Sequence, residues 1–101
     1  MITVSIERKV ASIVRILPML RSLRREAMQS KGYVTGVTLV GAEDRSLVTV
    51  VLTWQSLRDW ERWEASEIRD RLYKQIEPFL LEEPKVRVYR YLSYAKGPEK
   101  E

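Results

Sequence analysis

The sequence predicts a small α+β domain in which helices cover one face of an antiparallel sheet. Three observations carry that expectation. The hydrophobic period switches from two to about 3.6 and back along the chain. Two β-rich runs flank one short polar connection. The order of elements that results is β-α-β-β-α-β.

Ile2, Val4 and Ile6 alternate with Thr3, Ser5 and Glu7, the period of a half-buried strand. From Ser12 to Gln29 the period lengthens. Ile13, Ile16, Leu17, Leu20, Leu23 and Ala27 then share one helical face, with Arg15, Arg21 and Arg25 roughly opposite. Pro18 falls on the polar side, where it is expected to kink the helix or mark its first turn. Lys31-Gly32 ends the helix, with Gly32 as a left-handed C-cap.

Tyr33 to Val40 and Leu47 to Trp54 read as two strands of a hairpin joined through Gly41-Ala42-Glu43-Asp44-Arg45. Ser56-Leu57-Arg58-Asp59 has the spacing of a capping box and starts a short helix carrying Leu57, Trp60 and Trp63 on one side. Ser66-Glu67 starts another, with Ile68, Leu72, Ile76 and Phe79 as its apolar stripe. Glu67 with Arg71 and Asp70 with Lys74 are spaced for ion pairs on its exposed side. After Pro78 and Pro84, Val86 to Tyr94 is the last expected strand, and Ala95 to Glu101 a frayed polar tail.

This is the ferredoxin-like pattern, with the second helical segment broken in two. Helices cover one face of such a sheet, and the other face must meet something. Val86 and Val88 alternate with Tyr89 and Tyr91, so both faces carry apolar or aromatic groups. A second copy of the chain is the simplest cover, and a homodimer is expected. The 101 residues suit one domain, 1-95, followed by the tail, 96-101.

Composition narrows the chemistry. The chain has no His and no Cys, and no Asn occurs in it. A Ser-His-Asp triad, a Cys-His nucleophile and a zinc site of His or Cys ligands are therefore excluded. No EF-hand or phosphate-loop spacing occurs, and no metal or cofactor is expected. The net charge of +4 is spread along the chain and reads as a solvated surface. Arg21, Arg24 and Arg25 form a basic run without aromatic interleaving, so neither nucleic acid nor membrane is an expected partner. An anion-surface role for that run is the weakest of three functional readings. No apolar run approaches the ~20 residues of a membrane span, and the first residues do not read as a signal peptide. The cytoplasm is the default expectation.

Several segments resemble the antibiotic biosynthesis monooxygenase family. They are Gly32-Tyr33-Val34-Thr35-Gly36, Val50-Val51-Leu52-Thr53-Trp54-Gln55-Ser56, Trp60 and Trp63 before Ala65-Ser66, and Pro84-Lys85-Val86-Arg87-Val88-Tyr89. The match runs from Ile2 to about Tyr91. It departs where such domains usually carry a Pro-Gly turn and this chain has Ala11-Ser12-Ile13. The resemblance implies a dimeric α+β barrel of two sheets packed face to face, with a pocket between sheet and helices in each subunit. Fold alone does not fix function in this family, whose members include cofactor-free oxygenases and heme-degrading enzymes.

The heme-degrading branch implies a Trp, matched by Trp63, an iron-ligating His, where Tyr73 stands, and an Asn near Ile6. Losing the His argues against heme degradation. The polyketide-oxidising branch implies an Asn four residues before the Trp, where Asp59 stands. An ionised carboxylate accepts a proton but donates no hydrogen bond, so a neutral donor to an oxyanion is lost there.

The resemblance therefore implies Trp63, Tyr73 and Asp59 as catalytic candidates, with Tyr33, Trp60, Tyr89 and Tyr91 as candidates for substrate binding. Each has a structural reading beside it. Trp60 and Trp63 share an arc with Leu57 that suits the core. Tyr73 lies at the edge of its helix's stripe, where its hydroxyl either faces a cavity or reaches water. The other tyrosines suit cross-strand packing. Asp59 already serves the capping box. The leading reading is a cofactor-independent monooxygenase-like enzyme acting on a quinol or anthrone. The alternative is a non-catalytic dimer that binds a small apolar ligand or serves a structural role.

Overall fold

In the computed structural model, residues 1–93, 95 and 97 are described. Four strands form one antiparallel sheet in the order β2-β3-β1-β4, with β1 Ile2–Lys9, β2 Tyr33–Val40, β3 Leu47–Trp54 and β4 Lys85–Arg90. The helices are α1 Ile13–Met28, α2 Leu57–Glu64 and α3 Glu67–Ile76, and a single 3-10 turn, Glu77–Phe79, follows α3. This is the expected ferredoxin-like α+β arrangement.

Register decides which side chains face the helices. Ile2, Val4, Ile6 and Arg8 stand opposite Trp54, Leu52, Val50 and Val48 across the β1–β3 ladder. Directly paired residues share a face. That face meets Ile16, Leu20, Leu23 and Ala27 of α1, Trp60 and Trp63 of α2, and Ile76 of α3 in one core. Trp54 is its aromatic centre: Tyr33 meets it edge-on at 5.6 Å and Trp63 stacks on it at 6.4 Å.

Each helix begins on a serine. The side chains of Ser12, Ser56 and Ser66 accept from the backbone N–H groups of Arg15, Asp59 and Arg69, satisfying donors a helix start leaves open. Pro18 lies inside α1 as its sixth residue, on the exposed side. The missing N–H thus deprives the carbonyl of Val14, four residues earlier, of its helical donor on the exposed side of the helix rather than in the core. Asp70 pairs with Lys74 at 3.1 Å along α3.

Three expectations change. Gly32 is left-handed, with φ 88°, but α1 ends on Gln29 and Gly32 is not its cap. It is the third residue of a turn closed by the Tyr33 N–H donating to the Ser30 carbonyl at 3.2 Å. Phe79 leaves the α3 stripe because the 3-10 turn rotates it outward, where the Arg15 guanidinium lies 5.3 Å from its ring. β4 starts one residue earlier than expected and ends at Arg90; Tyr94 and most of the expected tail lie outside the described residues.

Among the described residues, no helix lies over the opposite face of the sheet. Val37, Leu39, Tyr89 and Tyr91 stand there about half exposed, among threonines.

Candidate functional site

The site starts at the end of β1. The alternation that buries Ile2, Val4 and Ile6 places Arg8 on the same inward face, only 1% exposed. On one side Arg8 is flanked by Val48 of β3. On the other, ladder pairing with β4 stops at Glu7 opposite Lys85. The chain before β4 rejoins β1 at Lys9, whose carbonyl accepts from the Leu81 N–H at 2.8 Å. Between these two points residues 82–84 bow away from the sheet, and a cleft opens beside Arg8.

This cleft holds about 500 Å3. Ile6, Arg8 and Val86 form its sheet wall, Arg69 and Tyr73 come from α3, and Leu80, Leu81 and Pro84 close the far side. Exposed Glu64, Glu77, Glu82 and Glu83 stand around it. Ile6, Arg8 and Arg69 also line a narrow inner pocket of about 30 Å3. That pocket runs between sheet and helices, walled by Trp63, Leu20, Leu23, Ala27, Val50 and Leu52. Its end is tied by a hydrogen bond from the Arg24 guanidinium to the Thr38 hydroxyl. Cleft and pocket are therefore neighbours that share Ile6, Arg8 and Arg69 as a common wall, with the two arginines at the waist between them.

Among the described residues, Nε, Nη1 and Nη2 of Arg8 are all buried without a hydrogen-bond partner. Burial, and then the charge of Arg69, pull its pKa below the ordinary arginine value to about 10, with Tyr73 acting in the opposite direction. Arg8 stays cationic at neutral pH. Burying a cation without a counter-charge costs several kcal/mol, which the packed strand must offset. Arg69 and Tyr73 sit four residues apart on α3, with the guanidinium 5.3 Å from the ring centre. Among the described residues, no group of three or more His, Cys, Asp or Glu side chains is placed to hold a metal ion.

The other candidates from sequence fall in different places. Trp63 walls the inner pocket and Tyr73 the outer cleft. Asp59 lines neither. Its Oδ2 accepts from the Ser56 hydroxyl at 2.8 Å and its Oδ1 from Arg62 at 3.1 Å. Trp60 is buried against Trp54, and Tyr33 packs edge-on against the same ring. Tyr89 and Tyr91 lie on the open face, where the Thr3 hydroxyl donates to the Tyr91 oxygen at 2.9 Å.

Arg8 and Arg69 were not singled out from sequence. For Arg8 the signal was present: it continues the phase of Ile2, Val4 and Ile6, so an inward-facing cation could be read there.

Solved structures with the same architecture are numerous. An antibiotic biosynthesis monooxygenase superposes with TM-score 0.83 and 18% identity, over 92% of this chain and all of that one. The chain has the fold of the antibiotic biosynthesis monooxygenases. SnoaB of Streptomyces nogalater, a cofactor-independent oxygenase, shares this monooxygenase fold with TM-score 0.84 and 10% identity, over 97% of each chain. A conserved protein of Methanosarcina mazei shares it at 0.82 and 16%, over 88% of this chain and 90% of that one. No protein-family model and no curated protein matches the sequence. At such identities the monooxygenase fold is what is held in common.

Proposed function

We propose that this protein is a dimeric, cofactor-independent oxygenase acting on an electron-rich aromatic of the quinol or anthrone type. The observation that carries the reading is the adjacency of a ring-sized cleft and a narrow apolar pocket walled by Trp63, which share Ile6, Arg8 and Arg69. The wide cleft suits the substrate ring, and the apolar pocket beside it suits a small apolar molecule such as dioxygen. For an anthrone, one oxygen atom would form the new ring carbonyl. The other would leave as water with the two hydrogens of the oxidised carbon. The substrate supplies all four electrons. Trp63 shapes the pocket, and the Tyr73 hydroxyl orients the ring. The half-exposed Val37, Leu39, Tyr89 and Tyr91 support a second copy packed on the open face.

A second reading rests on Asp59. The carboxylate proposed as a base from sequence is tied into a helix cap, which favours a dimer that binds an apolar ligand without reacting it.

Oxygen uptake against a panel of hydroquinones and anthrones, with chelator present, separates the two. Uptake above the spontaneous rate that falls at least tenfold in Trp63→Phe supports the oxygenase. Uptake no faster than without protein moves the reading to the binding dimer. Phe is used because a Trp-to-Ala truncation in this core costs about 3–5 kcal/mol and endangers the fold.

A further inference from the structure

An arginine without a partner in the core of a 101-residue domain is an expensive residue to keep. It does not close a helix, bridge two strands or pair with a carboxylate. Among the described residues, the ion pairs join Arg62 to Asp59, Lys74 to Asp70 and Arg87 to Glu7, and none involves Arg8 or Arg69. The glutamates around the cleft are exposed and form no ion pair with either guanidinium. Two cations thus meet at the waist of the site, close enough for Arg69 to depress the ionisation of Arg8, with no protein anion between them.

We propose that Arg8, with Arg69 beside it, is the anion-recognition element of this cleft, and that its ligand is an aromatic carboxylate. The proposal rests on reading the cleft as the ligand site but not on any oxidation taking place there.

Three features select a carboxylate. The five N–H donors of a guanidinium form a planar fork that matches the two oxygens of a carboxylate in a bidentate pair. No nitrogen of Arg8 has a partner among the described residues, and since all three are buried, a carboxylate reaches them by displacing the side chains that cover the guanidinium. The surrounding Glu64, Glu77, Glu82 and Glu83 oppose a second negative charge, which disfavours a phosphate dianion. Beyond the charged waist, Ile6, Leu80, Leu81, Pro84, Val86 and the Tyr73 ring supply apolar surface, and the four glutamates complete the lining. An aromatic body therefore lies in the cleft while its acid group reaches inward to Arg8. For the oxygenase reading, the substrate becomes a quinol or anthrone that also bears a carboxylate, held so that the ring is oriented by its acid group.

The test is equilibrium dialysis of the intact protein under nitrogen at neutral pH. The probes are 2-naphthoate, its methyl ester and 2-naphthol, which share a ring system and differ in charge. Naphthoate is expected to bind at least tenfold tighter than either neutral probe. Arg8→Met is expected to remove that preference, leaving the three within about twofold. Arg8→Lys, which keeps the charge but loses the fork, is expected to fall between. Equal binding of naphthoate and its ester, a preference for naphthol, selectivity that survives Arg8→Met, or no saturable naphthoate binding up to millimolar concentration would each overturn the proposal. Oxygen uptake is read separately. Charge-selective binding without uptake retains this proposal and removes the oxygenase, and uptake indifferent to a carboxylate does the reverse.

Discussion

Gly32 and Asp59 are fitted against each other without room for one carbon: a Cβ on Gly32 would stand 2.2 Å from the Asp59 carboxyl carbon. The same glycine has φ 88°, in the region that side chains rarely adopt. The turn into β2 is thereby locked to the start of α2, and the Gln55 N–H donates to the Gly32 carbonyl at 2.7 Å.

Gly32→Ala is therefore expected to destabilise the protein by about 2 kcal/mol or more, from backbone strain and the clash together. Urea denaturation checks it. A loss under about 0.5 kcal/mol would mean that the turn and α2 move apart readily in solution.

Asp59→Ala separates the cap from the catalytic reading. Asp59 takes hydrogen bonds from the Ser56 hydroxyl and from Arg62, and its own N–H donates to Ser56 Oγ at 3.1 Å. Losing the carboxylate is expected to cost about 1 kcal/mol of stability. Any oxygen uptake by the wild type should persist in the variant at 20 °C, well below its unfolding transition. Uptake abolished in a variant that is still folded by circular dichroism would return Asp59 to the role of base.

Much of the fold was legible because burial writes itself as period. β2 and β3 begin and end where their β-rich runs do, and Ser12, Ser56 and Ser66 cap the three helices. The reading failed where geometry depends on what lies across the sheet. Nothing local tells that β4 pairing stops beside Glu7, yet that stop opens the cleft. Tyr89 and Tyr91 resemble ligand-stacking residues in sequence, but strand parity sends them to the open face. Arg8 was missed for a different reason. It obeys the strand's period, but a charged residue in an inward position runs against the usual link between polarity and exposure. Such conflicts between local rule and global position are where functional sites are expected.

The open face gives a prediction about assembly. Val37 and Leu39 lie there on the edge strand β2, 47% and 50% exposed. If a second copy covers them, a double substitution Val37→Lys, Leu39→Lys brings like charges together across the interface and shifts the protein to monomer. Light scattering at micromolar concentration checks both forms. A wild type that is already monomeric removes the barrel, and a double variant that stays dimeric places the interface elsewhere.

Arg8→Met is expected to make the protein more stable at neutral pH, by about 1–4 kcal/mol, because a packed apolar side chain replaces a buried charge that no protein group compensates. The pH dependence gives the sign a second check. Burial and the neighbouring Arg69 lower the pKa of Arg8 in the folded protein to about 10, below the ordinary arginine value it keeps in the unfolded chain. Below pH 10 both states hold the proton, and the folded state bears the full cost of the buried charge. Between pH 10 and the ordinary arginine value the folded protein releases the proton and the unfolded chain does not, so the wild type regains stability as pH rises. The variant lacks this group, while the lysines and tyrosines that ionise in the same range are common to both proteins and cancel in the difference. The stability gap between Arg8→Met and wild type should therefore be constant from pH 6 to 9 and narrow above pH 10. Saturating 2-naphthoate should narrow it at neutral pH as well, since a ligand that binds the folded wild type more tightly than the folded variant stabilises the wild type more, in proportion to the logarithm of the ratio of the two Kd values. A variant less stable than wild type throughout would show that Arg8 is satisfied within the protein itself, and that its guanidinium is a structural strut and not an empty receptor.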